Sequence, residues 1–251
     1  MTGFATLLHK ELLRFGKVWG QTLGAPIFTT LLYQLIFAQA VGKNMETLPN
    51  ITYNVFLIPG LAMMSMMQNA FANSSSSLIQ SRLTGNLVFI LLPPISPFAF
   101  FSAYLCAGVI RGLLVGSGIL LCTAWFGLPL PHNWGFVLAF ALLSCLFMAG
   151  LGLLAGIWAE KFDQLAAFQN FLIMPLTFLS GVFYSLNNLP DFWQTVSRIN
   201  PIFYMIDGFR YGFFGVSDAS PWLAFTLASV FAVISCASAF LLVKSGWKLR
   251  R

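Results

Sequence analysis

Arg111 is the ionisable side chain that the charge pattern places in the middle of an apolar stretch. Residues 83–110 before it and 112–159 after it contain no Asp, Glu, Lys or Arg. An arginine at mid-depth in hydrocarbon costs about 2.5–3.5 kcal/mol on insertion scales, so it must face protein, a carboxylate or a water-filled cavity. Two roles follow. It contacts an anionic substrate or stabilises a transport path, or it bonds backbone carbonyls at a helix break beside Gly108 and Gly112. No Asp or Glu falls well inside any apolar stretch, which argues against an acid-based proton relay.

Catalytic constellations are missing. None of the six lysines completes a G-x-x-x-x-G-K-[ST] loop, so no nucleotide is expected on this chain through that motif. There is no H-E-x-x-H and no G-x-S-x-G. His9 and His132 are isolated, and no cluster of acidic metal ligands occurs. Cys106, Cys122, Cys145 and Cys236 all lie in apolar stretches without a C-x-x-C pair, which suits helix packing better than metal or disulfide. The chain is therefore not expected to be an enzyme or to hold a cofactor or metal.

Residues 78–97 read LIQSRLTGNLVFILLPPISP, a short amphipathic helix closed by Pro93 and Pro94. Such a helix between spans is either a docking surface for a soluble partner or a plain interfacial loop helix. Gly150, Gly152 and Gly156 form a small-residue face suited to close helix packing. The hydroxyls of Ser74 to Ser77 are placed to bond back to their own helix or to a neighbour.

The elements that must position these residues follow from composition. Hydrophobic residues make up 58% and charged residues 8% of the 251 residues, against about 45–50% and 25% in soluble domains. Mean hydropathy is +0.82. Six charge-free runs, 18–42, 47–81, 83–110, 112–159, 164–190 and 219–243, are each at least 25 residues long. About 20 apolar residues suffice to cross a bilayer as a helix. The runs are continuous rather than alternating, which favours a helical bundle over a β-barrel. An all-α integral membrane protein with six transmembrane helices is expected, at about 20–41, 54–77, 98–127, 135–158, 166–186 and 222–243.

Residues 1–19 predict an amphipathic helix at the membrane interface. Phe4, Leu7, Leu8, Leu12, Phe15 and Trp19 form its apolar stripe, with Lys10, Glu11, Arg14 and Lys17 largely off it. The basic start, apolar run and Ala38-Gln39-Ala40 imitate a secretory signal, but the run exceeds the about 7–15 residues of a signal core. Residues 187–221 are too apolar for a free loop and too polar for a plain span, which predicts short interfacial or re-entrant helices. With the N-terminus inside, nine Lys and Arg face the cytoplasm and three face outward. That asymmetry places both termini in the cytoplasm. The net charge of +6 is thus a topology signal, with anionic lipid as a further partner, and requires no nucleic acid.

The stretches Phe162-Asp163, PLTFLSGVFYS (175–185), Leu189-Pro190, NPIFY (200–204) and GFRYG (208–212) carry a resemblance to a known family. The whole chain resembles the permease subunits of type-2 ABC exporters, which include small proteobacterial permeases linked to polysaccharide, lipo-oligosaccharide and drug export. The resemblance implies a single transmembrane domain over 1–251. It implies a homodimer paired with two copies of a separate ATPase, which would hold ATP and Mg²⁺. Residues 1–19 would be the interface helix. Residues 78–94 would contain the cytoplasmic coupling helix, with Arg82, Gly85 and Pro94 matching the family's pattern. Residues 187–221 would form external re-entrant helices. Where the family often has Glu, this chain has Leu87-Val88-Phe89, so Phe89 would fill an ATPase groove in place of a charge contact. Glu160, Lys161 and Asp163 are supplementary contact candidates, or a solvated turn.

The resulting expectation is an ATP-driven exporter permease of a bacterial inner membrane. It would move a lipid-linked, glycan or amphipathic drug-like substrate outward. The path would run beside the first and fifth spans. Arg111, Phe183, Tyr184, Tyr204 and Arg210 are assigned to the path and its outer gate, although aromatics also form interfacial belts. A stand-alone channel or secondary transporter is the alternative. A neighbouring ATPase gene separates the two.

Overall fold

A computed structural model describes residues 3–40, 46–48 and 51–248. In chain order, α1 spans Gly3–Gly16, and a π-helical turn at Gly20–Gly24 leads into α2, Ala25–Ala40. The short strands β1, Glu46–Leu48, and β2, Ile51–Thr52, pair antiparallel. Then come α3, Tyr53–Leu83, α4, Asn86–Leu91, α5, Pro97–Thr123, and α6, Trp134–Trp158. The segment α7, Phe162–Phe168, passes through a π turn at Gln169–Ile173 into α8, Met174–Phe178. Two short helices follow, α9 at Asp191–Ile199 and α10 at Pro201–Phe214, before α11 at Pro221–Ser245.

Among the described residues, four helices are long and apolar enough to cross a membrane: α3, α5 with its extension to Phe126, α6 and α11. The segments expected at 20–41 and 166–186 are helical over 20–40 and 162–178, and each contains a π turn. The second stops at Phe178, short of the expected 186, where the chain turns through Gly181 at φ 77°. Helix starts obey local chemistry. Ser96 accepts from Ala99 N ahead of Pro97, and Asn200 accepts from Ile202 N ahead of Pro201. These are side-chain caps with proline where no donor is missed.

The helix expected at 54–77 is longer than expected and absorbs 78–83. Helix α3 runs to Leu83 because its last turns stay packed, with Leu78 and Ile79 fully buried. Gly85, at φ 72°, then breaks the helix in a conformation that side chains disfavour. The expected coupling helix is therefore reduced to the six residues of α4.

Helix α3 is the axle of the bundle. Its most apolar window is 83% buried, against 28% for α11. Glycines allow the close approach. A Cβ on Gly112 would meet Met66 O at 2.9 Å, one on Gly152 Phe71 O at 2.5 Å, and one on Gly156 Ser75 O at 3.0 Å. Helices α5 and α6 thus touch the α3 backbone itself, the small-residue packing of membrane helices. Gly150 instead faces Ser235 of α11.

Helix α1 is seated by charge as well as by Leu7. Glu11 has no exposed surface, which corrects the expectation that it lies off the buried stripe. Glu11 Oε1 accepts from Ser77 Oγ and Lys10 Nζ, both at 2.8 Å, and Arg14 Nε lies 3.4 Å from Oε2. Arg14 also donates to Asn73 O and Oδ1, both at 2.9 Å. The polar run of α3 thus does bond a neighbouring element.

The bundle has two distinct ends. At one, Gly3 of α1 lies against Ile95, and Arg82 reaches the backbone at 157–159 and 248. At the other, His132 N and Asn133 N donate to Phe213 O and Gly212 O, and Tyr53 Oη donates to Phe183 O.

Gly152→Ala is expected to destabilise the detergent-purified chain by about 1–3 kcal/mol, because the Phe71 backbone must give way. Gly24→Ala, with open space around its Cβ, is expected to leave the thermal midpoint unchanged or slightly raised. Glu11→Leu strands Arg14 and Ser77 and should cost about 3 kcal/mol, read in the same unfolding measurement.

Candidate functional site

Arg111 stands on the face of α5 that looks toward α1 and α2, and it borders two cavities. The first, about 440 Å³, has a polar wall of Thr29 and Thr30 from α2 and Ser65, Gln68 and Asn69 from α3, with Met174 and Phe178 closing its far side. The second, about 680 Å³, lies under α1 and is lined by His9, Lys10, Arg14, Lys17 and Gln80. Val18 and Arg111 border both. Arg111 Nε is buried without a hydrogen-bond partner among the described residues. Arg111 borders both cavities, and no bond from it to a backbone carbonyl is present among the described residues.

Above the first cavity sits an aromatic cluster. The Phe183 ring lies 4.8 Å from Phe37, 5.8 Å from Tyr33 and 5.6 Å from Phe178, centroid to centroid. Tyr184 Oη donates to Phe178 O at 3.1 Å, which folds the 179–184 turn back over α8. Tyr33 and Phe37 are members that sequence reasoning missed. They are spaced i and i+4 on one face of α2, so that spacing was the available signal.

Tyr204 and Arg210 stand apart from this cluster. Tyr204 is buried in α10 and donates to Arg198 O at 2.8 Å, tying α9 to α10. Arg210 is 2% exposed, donates to Gly181 O at 2.7 Å and stacks 3.9 Å over the Phe56 ring. It is packed against Gly60 of α3 and lines neither cavity. Asp207, one turn earlier, accepts from Asp218 N and Ala219 N. Asp218 in turn accepts from Ser185 Oγ, Leu186 N and Asn187 Nδ2. The result is a polar clasp that joins 181–187 to 207–219. Burial pushes the Asp207 carboxyl up to about 6, against the pull of its backbone donors and Arg210. Burial also lowers the Arg210 guanidinium, against Asp207 and Asp218.

The residues assigned to docking collect at the opposite end. Helix α4 is pinned by Leu87, which is buried, while Phe89 is 70% exposed with Val88 and Leu92 beside it. Gly85 sets the direction of α4, and Pro94 is exposed in the segment that leads to α5. Arg82 points inward. It donates to Ala159 O at 2.6 Å, Ile157 O at 3.1 Å and Lys248 O at 3.2 Å, closing the end of α6 and holding the C-terminal turn. Glu160 pairs with Lys248 at 2.7 Å. Lys161 and Asp163 are exposed at the start of α7. Arg82, Leu87, Glu160 and Lys248 enclose a small cavity of about 200 Å³.

Comparison with known proteins adds to this geometry. Residues 2–214 match the family described as ABC-2 type transporter. The inner membrane transport permease YadH of Escherichia coli K12 is 38% identical over 241 residues, covering 96% of this chain and 94% of the relative. The capsule polysaccharide export inner-membrane protein CtrC of Neisseria meningitidis is 27% identical over 235 residues, covering 87% and 82%. Nodulation protein J of Rhizobium meliloti is 24% identical over 181 residues, covering 72% and 69%.

Arg82→Met removes the donor for three carbonyls at once. It is expected to cost about 2 kcal/mol. It should also speed amide exchange at 157–161 and 245–248 while leaving α9 and α10 unchanged, as read by hydrogen-exchange mass spectrometry.

Proposed function

The chain belongs to the ABC-2 type transporter family, and from that premise we propose that it is the permease subunit of an ATP-driven exporter in a bacterial inner membrane. In this reading two copies pair with two copies of a separate ATPase, which carries ATP and Mg²⁺. The cargo is a lipid-linked, glycan or amphipathic drug-like molecule moved outward. Residues 1–251 form one transmembrane domain with six spans, 20–40 and 162–178 being the first and fifth, and both termini are cytoplasmic.

The observation that carries the reading is α4. A short helix exposes Phe89, Val88 and Leu92 at the end of the bundle where α1, the 159–163 turn and the C-terminal turn gather. That end also holds Lys10, Arg14, Lys17, Arg82, Lys161, Lys244 and Lys248, which supports a cytoplasmic orientation. The sequence has no nucleotide loop of its own, and family members work with ABC ATPase subunits in general. An exposed aromatic on a rigid helix is the sort of anchor that fills a groove on a partner.

The names of the relatives bear on cargo. CtrC is named for capsule polysaccharide export, which favours a glycan or a glycan-bearing lipid. Helices α9 and α10, held by the Asp207–Asp218 clasp, lie at the outer end in this reading and close the path from outside. Phe183, Tyr184, Tyr33 and Phe37 form the aromatic constriction beneath them. Tyr204 and Arg210 support that constriction from behind through α9, α10 and Gly181. ATPase closure would turn into transport by favouring one of two permease arrangements, which requires different affinities for them.

The test is co-purification of the full chain with any ABC ATPase subunit that a neighbouring gene encodes, followed by ATP hydrolysis with and without the permease. A stable complex with permease-dependent hydrolysis is the expected result. Phe89→Asp should lower that stimulation at least about threefold with the thermal midpoint unchanged. Unaltered stimulation would remove α4 from the docking role. A chain that purifies alone and transports without any ATPase would replace this reading with a channel or secondary transporter.

A further inference from the structure

Two cavities that share Arg111 differ in chemistry, and the difference points to the charge of the cargo. The larger one, under α1, is lined by His9, Lys10, Arg14, Lys17 and Arg111, with no Asp or Glu in its wall among the described residues. Lys10 and Arg14 are already engaged with buried Glu11. Lys17, exposed at its rim, and Arg111, at its inner end, are the cations with no ion pair among the described residues. The smaller cavity sets amides and hydroxyls beside Pro26, Met64, Met174 and Phe178, again with no acidic side chain in its wall among the described residues. Arg111 is half-buried, and its Nε is buried with no hydrogen-bond partner among the described residues; a partly desolvated guanidinium at the junction of two cavities favours an oxyanion partner.

We infer that Arg111 receives an oxyanion, a phosphate or carboxylate group, that enters through the basic cavity beneath α1 and passes to the neutral polar cavity beyond. This rests on the permease reading and narrows its cargo to an acidic species. The basic cavity concentrates anions, Arg111 binds the group with charge-assisted bonds, and Gln68, Asn69 and Ser65 complete its hydrogen bonding. A cationic amphiphile is repelled at both steps. The entrance lies under an amphipathic helix at the membrane interface, so the cytoplasmic leaflet is a direct source of such headgroups. The same chemistry also accepts a free anion.

The experiment is native mass spectrometry of the detergent-purified full chain titrated with dioleoyl phosphatidylglycerol or dioleoyl phosphatidylcholine. Wild type is expected to retain the anionic lipid about tenfold better. Arg111→Gln should erase most of that preference, and Arg111→Lys should keep part of it. Lys17→Gln, at an exposed position, should lower it a few-fold and guards against a folding failure at Arg111. Millimolar inorganic phosphate is the second arm. Displacement of the lipid identifies the free oxyanion as a sufficient ligand, and retention identifies the lipid headgroup; both support the site. Equal retention of the two lipids by wild type, or an unchanged preference in both Arg111→Gln and Lys17→Gln, overturns it. No ATPase enters this assay. Failure to find an ATPase partner therefore defeats the exporter reading alone, and loss of lipid discrimination defeats the oxyanion site alone.

Discussion

Glu11 is a carboxylate sealed from solvent, and its partners decide where α1 can lie. Ser77, Lys10 and Arg14 surround it, and Arg14 continues to Asn73 on the same helix. Burying a charge is tolerated only when it is paired and hydrogen-bonded. Only one stretch of α3, residues 73–81, supplies those groups in register. Helix α1 is therefore fixed in both rotation and height against α3, not merely attracted to an apolar surface. The cavity beneath it, and the access of Arg111 to that cavity, exist because α1 is held there.

Two further arginines are tied to the same helix. Arg82 leaves α3 to close the end of α6, and Arg210 lies against Gly60 and Phe56 of α3 from the opposite end. Three guanidinium groups, Arg14, Arg82 and Arg210, end on backbone carbonyls. Arg111 does not among the described residues, and that contrast separates a functional candidate from structural ones better than depth in the membrane does. Helix α3 has few apolar faces to offer lipid, so its polar residues 73–81 are spent on neighbours.

The family expected from the GVFYS, NPIFY and FRYG stretches is the family found. Four spans were legible because charge-free runs of about 20 or more residues leave a helix few alternatives in lipid. The π turns at 20–24 and 169–173 carry no hydropathy signature and were not legible. The burial of Glu11 was readable in principle. It stands four residues after Leu7, on the same face, but a charge in an amphipathic pattern is ordinarily assigned to water. Arg82 matched a docking pattern by position, while its bonds to Ile157, Ala159 and Lys248 join residues far apart in sequence, which no local pattern encodes. Asp207 has its partners at Asp218 N and Ala219 N, 11 and 12 residues on, which no helical spacing signals. The continuation of that clasp, Asp218 with 185–187, is likewise set by tertiary structure.

The helical segment 162–178 has 17 residues, seven, five and five in its three parts. At 1.5 Å per residue it is about 26 Å long, some 4 Å short of a typical hydrocarbon layer. In the proposed six-span arrangement this segment faces outward at Phe171 and inward at Ile173 and Thr177, with Met174 lining the polar cavity. Thinning of the surrounding bilayer is one way in which a mismatch of this sign is relieved, beside snorkelling of flanking side chains and oligomerisation, at a fraction of a kcal/mol per Å. In the proposed export reading, the two leaflets would lie closest beside the polar cavity, to which the proposed headgroup path leads.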